Sequence, residues 1–244
     1  MPKRWITTRP SVSLGDILGE YHVGKQPRYL LMFLLARALW QFHDTNWMQI
    51  PWTVDNVQFL VERRNVVGVF LNEPFLSASF IPDPTGKQQQ PSPEERFRSI
   101  RAFGVMLLEI ELGILMRNAV RELPDYEEIS VEDQLSQEAY AAQILVEDTR
   151  AEDVFTPLSD AIRFCLKPDN LQLYCNEPGA LRVAIYQNIV SQVVGLVTVL
   201  LKNPDAVVLH QPALPKGTAP SRKYVSGYPT LKWQTLRKRD LNTR

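Results

Sequence analysis

The sequence predicts a mainly α-helical bundle with one small β-hairpin, and two observations carry the prediction. Residues 93–113 form a helix whose second half is apolar on nearly every side, which is typical of a helix buried at the centre of a domain. Residues 57–71 contain two β-rich runs on either side of the polar stretch Glu62–Asn65, which is a hairpin pattern. We expect the other helices to pack around residues 93–113.

The central helix has sequence signals at both ends. Ser92 is a suitable N-cap, and Pro93 suits the first helical position. Gly113 is the predicted stop, with an extension over residues 114–116 as the alternative. From Ala102 to Ile110, Glu109 is the only charged residue.

Caps and apolar periodicity predict the remaining elements. Ser13 and Asp16 form a capping-box pattern before a short helix. Longer helices are predicted from Pro27 to about His43, and over about 131–148, 153–166 and 178–202. The 131–148 helix is expected to turn inward Leu135, Tyr140, Ala141, Ile144 and Leu145. Four prolines predict a long loop over residues 72–92.

The domain organisation follows from composition and charge. One helical domain, residues 13–202, is predicted between a flexible arm at 1–12 and a basic, Pro/Gly-containing tail at 203–244. The formal net charge is zero, but residues 122–160 hold twelve carboxylates and residues 216–244 hold eight Lys or Arg. This asymmetry suggests self-association, with the tail docking on the acidic segment of its own chain or of a second copy.

Several classes of site are not expected. Cys165 and Cys175 do not make a disulfide framework or a zinc site, which favours a reducing compartment, cytoplasmic or nuclear. His22 and His210 lack the spacing of metal ligands, so no metal is predicted. The longest apolar run, Val193–Leu201, is too short to span a bilayer, and no membrane partner is expected.

A set of motifs in a fixed order supports a resemblance to a known fold. His43 ends an apolar helix, and Asn56 follows it by thirteen residues, just before the hairpin. Residues 103–109, FGVMLLE, place Gly104 and Glu109 in an F-G-V-x-L-x-E pattern. These motifs resemble the helical C-terminal lobe of protein kinases. The resemblance implies that His43, Asn56, Gly104 and Glu109 are structural residues of such a lobe.

The catalytic positions depart from the kinase pattern. Pro51 stands where the resemblance implies the catalytic Asp, Thr53 where it implies the loop Lys, and Val69 where it implies the magnesium-binding Asp. Ser99 replaces the usual buried Asp of the central helix, and no Gly-rich loop or V-A-I-K-type lysine precedes Leu30. A missing general base alone is worth about 10²- to 10⁴-fold in rate. No catalytic residue and no cofactor are therefore predicted.

A closer resemblance is to a family of uncharacterised fungal proteins with a degenerate kinase-like C-terminal region. It covers about residues 12–202 and is carried by Phe42–Thr45, Trp47-Met48, Trp52-Thr53, Phe59-Leu60, Pro74–Ser77 and Ala180–Val194. It implies a role in fungal signalling or self-recognition.

Two groups of residues have a structural and a functional interpretation. Trp47 and Trp52 are interpreted as the apolar plug of an irregular loop, with a partner-binding surface as the alternative. His43 and Asp44 could pair as a base and its orienting residue, but neighbours at a helix end are not expected to face each other. His43 is therefore interpreted as a helix-terminal or core histidine.

Three classes of function are considered. The favoured one is a non-catalytic module that binds another protein. The alternative is a divergent phosphotransferase-type enzyme. A third and weaker alternative is nucleic-acid binding through the tail, where Tyr224, Tyr228 and Trp233 stand among Lys and Arg residues.

Overall fold

The computed structural model describes residues 11–64, 66–69, 71, 73–77, 91–121, 133–148, 156–167, 171–174, 179–201 and 214–215. Its helices are α1 (Leu14–Glu20), α2 (Lys25–Phe42), α3 (Pro93–Leu112), α4 (Met116–Val120), α5 (Gln134–Asp148), α6 (Thr156–Leu166) and α7. Helix α7 is α-helical over Ala180–Ile185 and Ser191–Leu201, with the π-helical turn Tyr186–Val190 between them. A 3-10 helix, Asn46–Gln49, follows α2. The prediction of a mainly helical fold is confirmed.

Helix α3 lies at the centre, as predicted, and packs against α2, α5, α6 and the 3-10 helix. Its start is a capping box: the Ser92 hydroxyl accepts from the Glu95 amide at 3.2 Å, and the Glu95 carboxylate accepts from the Ser92 amide at 2.7 Å. It ends at Gly113, whose left-handed φ of 68° suits glycine. Apart from Glu109, the buried side chains of its second half are apolar: Ala102, Phe103, Val105, Met106, Leu107, Leu108 and Ile110.

The hairpin is confirmed, and two short strands extend it into a small antiparallel sheet. Strand β3 (Val57–Arg64) pairs with β4 (Val66–Val69), and on its first half with β1 (Ser11–Ser13) and β5 (Phe75–Leu76). Residues 62–64, predicted as part of the turn, belong to β3. Residues 11 and 12, predicted as part of a loose arm, form β1 and are corrected accordingly.

A second pairing joins strand β2 (Tyr21–His22) to β6 (Leu214–Pro215). It places two residues of the predicted tail beside the start of the helical domain. Large parts of four predicted segments lie outside the described residues. They are residues 1–10 of the arm, 78–90 of the long loop, 122–132 of the acidic segment and 216–244 of the tail.

Helix α5 buries most of the predicted face, since Leu135, Ala141 and Leu145 are buried and Ile144 is partly buried. Leu135, Ala139, Ala142, Leu145 and Val146 are buried with the core, whereas Tyr140 is 48 % exposed. Five residues at about 100° each place position 140 about 140° around the helix from Leu135, outside the inward stripe. The assignment of Tyr140 to the inner face is therefore wrong.

Helix α7 is both long and apolar. By length and composition alone, its residues Ala180–Thr198 could cross a membrane, a test that core helices of soluble proteins also pass. In this fold one side of the helix is buried against α2 and α6, through Leu181, Ile185, Ile189, Val193 and Leu196.

Candidate functional site

The loop between α2 and β3 begins at His43, the C-cap of α2, whose side chain is buried. Its Nε2 lies 2.6 Å from the Asp44 carboxylate, and its Nδ1 lies 2.9 Å from the Trp40 carbonyl oxygen. Arg96 of α3 reaches the other Asp44 oxygen at 3.2 Å. The expectation that His43 and Asp44 do not face each other is wrong. Both residues lie in the turn after the last residue of α2, so helical geometry does not separate their side chains. The group anchors the end of α2 to α3.

Asn56 closes the same loop at its other end. Its side-chain amide donates to the Pro51 carbonyl at 2.8 Å, and its backbone carbonyl accepts from the Ser77 amide at 2.8 Å. The Asn56 side chain thus holds its own loop, with its amide nitrogen committed to a backbone oxygen. Val69 lies in β4, paired with Val61.

Ser99 of α3 connects the central helix to the loop by hydrogen bonds. Its hydroxyl is buried and lies 2.8 Å from the Met48 carbonyl and 2.9 Å from the Ile50 carbonyl, so it is shared between two acceptors. A side chain that donates a hydrogen bond is needed at this position. A carboxylate, which the kinase pattern would place there, only accepts.

The two tryptophans of the loop have different environments. Trp52 is 1 % exposed, meets Phe103 edge-on with ring centres 6.3 Å apart, and donates from Nε1 to the Trp47 carbonyl at 3.1 Å. It is the apolar plug of the loop and offers almost no surface to a partner, which corrects its assignment to an interaction surface. Trp47 is only partly buried and lies 6.2 Å from the Phe42 ring, centre to centre.

Trp47 forms one side of an open apolar groove of about 420 Å³. We call it the Trp47 groove; α2, the loop and the segment around β5 line it with Leu34, Leu35, Ala38, Phe42, Trp47, Trp52, Glu73, Pro74, Phe75 and Leu76. Phe42 and Phe75 remain 37 % and 41 % exposed. Sequence reasoning found Trp47 and the Pro74–Ser77 motif, but it did not join them to the outer side of α2.

Gly104 and Glu109 lie on different sides of α3 and contact different elements. A Cβ on Gly104 would lie 2.5 Å from the Cys165 Cβ, so glycine is what allows α3 and α6 to approach this closely. Glu109 is 4 % exposed and accepts from the Met116 amide at 2.8 Å. Desolvation raises its pKa to about 8, although that hydrogen bond opposes the shift. Burial also raises the pKa of the Cys165 thiol, which makes it a poor nucleophile.

The structure does not gather the motif-matched residues into one site. His43 and Asn56 serve the two ends of one loop, Gly104 faces α6, and Glu109 faces α4 and a cavity beside the loop. Within the described ranges, no group of three or more His, Cys, Asp or Glu side chains is arranged to hold a metal ion.

Comparison with known proteins gives one match. The family model described as "Domain of unknown function (DUF7580)" matches residues 5–194. No curated protein and no solved structure matches the chain.

Proposed function

This chain belongs to the DUF7580 family, and we propose that it is a non-catalytic, kinase-like module that binds another protein. The observation that carries the proposal is the Trp47 groove, which keeps two phenylalanine rings partly in solvent beside a partly buried tryptophan. Large aromatic side chains at the surface are enriched where proteins bind one another, because they bury much area at low entropic cost.

The loop that would carry catalysis in a kinase supports the non-catalytic part of the proposal. Pro51 and Thr53 have neither a carboxylate nor an ammonium, and the Asn56 amide is bonded to the Pro51 carbonyl. Phosphoryl transfer depends on charged groups placed around the phosphates. A backbone-bonded amide and two uncharged side chains supply none of that charge.

The groove favours an apolar occupant with a basic residue. Its lining is aliphatic and aromatic except for Glu73, which is exposed at the edge. A partner segment with aliphatic or aromatic side chains would bury the Phe42 and Phe75 rings, and a Lys or Arg next to them would face Glu73. We infer that the partner is a protein segment of this composition, with fungal signalling or self-recognition as the proposed setting.

The test uses a photo-crosslinking amino acid in place of Phe75, at the open side of the groove, in the full-length chain. The matched control carries the same amino acid in place of Leu60, an apolar residue of β3 that is 59 % exposed and does not line the groove. In fungal lysate we expect a crosslinked partner from position 75 and not from position 60. The crosslinked partner peptide should be apolar and contain Lys or Arg.

A second pair of variants checks that the groove supplies the affinity. Phe42→Ser should weaken binding of the identified partner at least tenfold, because a buried aromatic ring at an interface commonly contributes more than about 1.4 kcal/mol. Leu60→Ser should bind as the parent does. Equal crosslinking at positions 75 and 60, or unchanged affinity of the Phe42 variant, would refute the groove as the binding surface.

A further inference from the structure

A second cavity lies on another side of the same loop, and the proposed partner groove does not include it. We call it the acidic cavity; it has a volume of about 240 Å³. The loop, α3, α4 and the start of α5 line it with Pro51, Thr53, Val54, Asp55, Arg98, Ala102, Val105, Glu109, Arg117, Asp133, Gln134, Leu135 and Glu138. About 10–15 Å³ of such space is enough to hold one water, so the cavity has room for a guanidinium group and a short alkyl chain.

The charges in the cavity are unequal. Four carboxyl groups line it, against two guanidinium groups. Both guanidinium groups already face a carboxylate: Arg117 contacts both Asp55 oxygens at 3.0 and 3.2 Å, and Arg98 lies 4.0 Å from Asp133. Among the described side chains, no cation lies within 4 Å of the Glu109 or Glu138 carboxyl group, although Arg117 is close enough to oppose the rise in the pKa of each.

Glu109 has unused hydrogen-bonding capacity. Within the described part of the chain its side chain bonds only the Met116 amide, through Oε1, which leaves Oε2 without a partner beside the cavity. A carboxylate can accept about four hydrogen bonds. Glu138, half-buried, accepts from Gln134 at 2.7 Å and also has capacity left. A donor that enters the cavity could therefore bond both carboxyl groups.

The geometry points to a binding site for one cationic side chain, the guanidinium of an arginine or the ammonium of a lysine. Its charged end lies between Glu109 and Glu138, and its alkyl part lies along Ala102 and Val105 on the floor of the cavity. Desolvation raises the pKa of Glu109 to about 8 and also raises that of Glu138, so a cation that binds near neutral pH would displace the Glu109 proton. An added positive charge would offset that desolvation.

The test titrates the full-length protein with 1-propylguanidinium, using propylurea as an uncharged analogue of the same shape. The readout is the NMR shift of the Met116 amide, which is hydrogen-bonded to Glu109. We expect the Met116 signal to move with 1-propylguanidinium and not with propylurea. Glu109→Gln and Glu138→Gln should each weaken binding about tenfold or more, since each removes one charge-assisted contact.

Glu147→Gln is the matched control, because Glu147 accepts from Gln143 one turn back in α5, as Glu138 does from Gln134, but lies outside the acidic cavity. It should leave the affinity unchanged. If Glu109→Gln does not fold, the half-buried Glu138 still gives a readable variant. An unmoved Met116 signal, equal binding of propylurea, or unchanged affinity of the Glu138 variant would overturn the proposal.

Two sources can supply the cationic side chain: a partner protein or the chain's own residues 216–244, which hold eight Lys and Arg. A full-length variant with those eight residues changed to Gln separates the two. If the tail supplies the side chain, this variant binds 1-propylguanidinium more tightly than the parent. Equal affinities assign the site to a partner. Both results support a cation site and differ only in its source.

Discussion

At the scale of single residues, Ser99 shows how this chain departs from the kinase pattern. Its buried hydroxyl serves two backbone carbonyls of the loop. We expect Ser99→Ala to cost about 1–3 kcal/mol, the usual penalty for leaving buried acceptors unpaired. Ser99→Asp, which introduces the residue that kinases have, should cost more because a carboxylate would face two acceptors. Urea denaturation of the parent, Ser99→Ala and Ser99→Asp measures their free energies of unfolding and so their order of stability.

The control for Ser99 is Ser191→Ala on α7. The Ser191 hydroxyl also donates to a backbone carbonyl, that of Gln187, but on an exposed part of the helix. Water can replace the lost bond there, so the change in stability should stay within about 0.5 kcal/mol. An aspartate variant of Ser99 as stable as the parent would contradict the account of a donor held between two carbonyls.

Glu109 gives a prediction about pH. Its pKa is raised from 4.5 to about 8 by burial, so between these values the folded chain holds a proton that the unfolded chain has lost. The stability linked to this proton is complete below pH 4.5 and decreases as pH rises toward 8, by about 1.4 kcal/mol per pH unit at most. Glu109→Gln keeps an acceptor for the Met116 amide and should remove most of this decrease.

Denaturation curves at pH 5, 6, 7 and 8 test this. The stability of the Glu109 variant relative to the parent should increase across the series. Glu111 and Glu138, whose pKa values burial also raises, leave some slope in the variant. Glu147→Gln on α5 should keep the parent's slope. Parallel curves for the parent and the Glu109 variant would show that Glu109 does not bind this proton in the folded state.

At the scale of elements, the contact between α3 and α6 depends on Gly104. A methyl group there would lie 2.5 Å from the Cys165 Cβ, and both positions are fully enclosed. We expect Gly104→Ala to destabilise the fold by about 1–3 kcal/mol, because a close-packed interior resists an added carbon. Thermal or urea unfolding gives the value directly.

Gly195 is the matched control for Gly104. It is also helical, in α7, but an added Cβ would meet nothing within 4 Å. Gly195→Ala should therefore be neutral, or stabilising by up to about 1 kcal/mol, since alanine is the better helix former. If both alanine variants shifted stability alike, the close approach of α3 and α6 would not be what requires glycine at 104.

The elements that sequence predicted well are those whose signals are local. The ends of α3 are set by the Ser92–Glu95 capping box and by Gly113, all readable within one turn. Strands β1 and β5 were missed because each is two or three residues long and pairs with a distant part of the chain, as Ser11 does with Leu60. Short segments of this kind carry no periodicity of their own.

At the scale of the whole molecule, the same limit applies to the candidate sites. The Trp47 groove joins α2, the loop and the β5 segment, and the acidic cavity joins residues from α3, α4 and α5 to that loop. Individual residues such as Trp47 and Glu109 stood out in the sequence. Their neighbours could not be known before the helices were placed, because contact across elements is a property of the packed fold.

The last prediction concerns nucleotide binding by the folded chain. Pro51, Thr53 and Val69 cannot accept a proton, contact a phosphate as a cation or bind magnesium, and the Asn56 amide already bonds the Pro51 carbonyl. Mg²⁺ at nucleotide sites is usually bound through one or two carboxylates. We therefore expect no change in melting temperature with millimolar ATP and Mg²⁺. A ligand at 100 times its Kd would stabilise the fold by about 2.7 kcal/mol, which is roughly 5–11 °C for a chain of this size. Chelation of the metal and replacement of ATP by GTP are the controls. A reproducible rise that needs both ATP and Mg²⁺ would contradict the non-catalytic proposal and favour a divergent phosphotransferase, while the partner test at the Trp47 groove would stand or fall on its own.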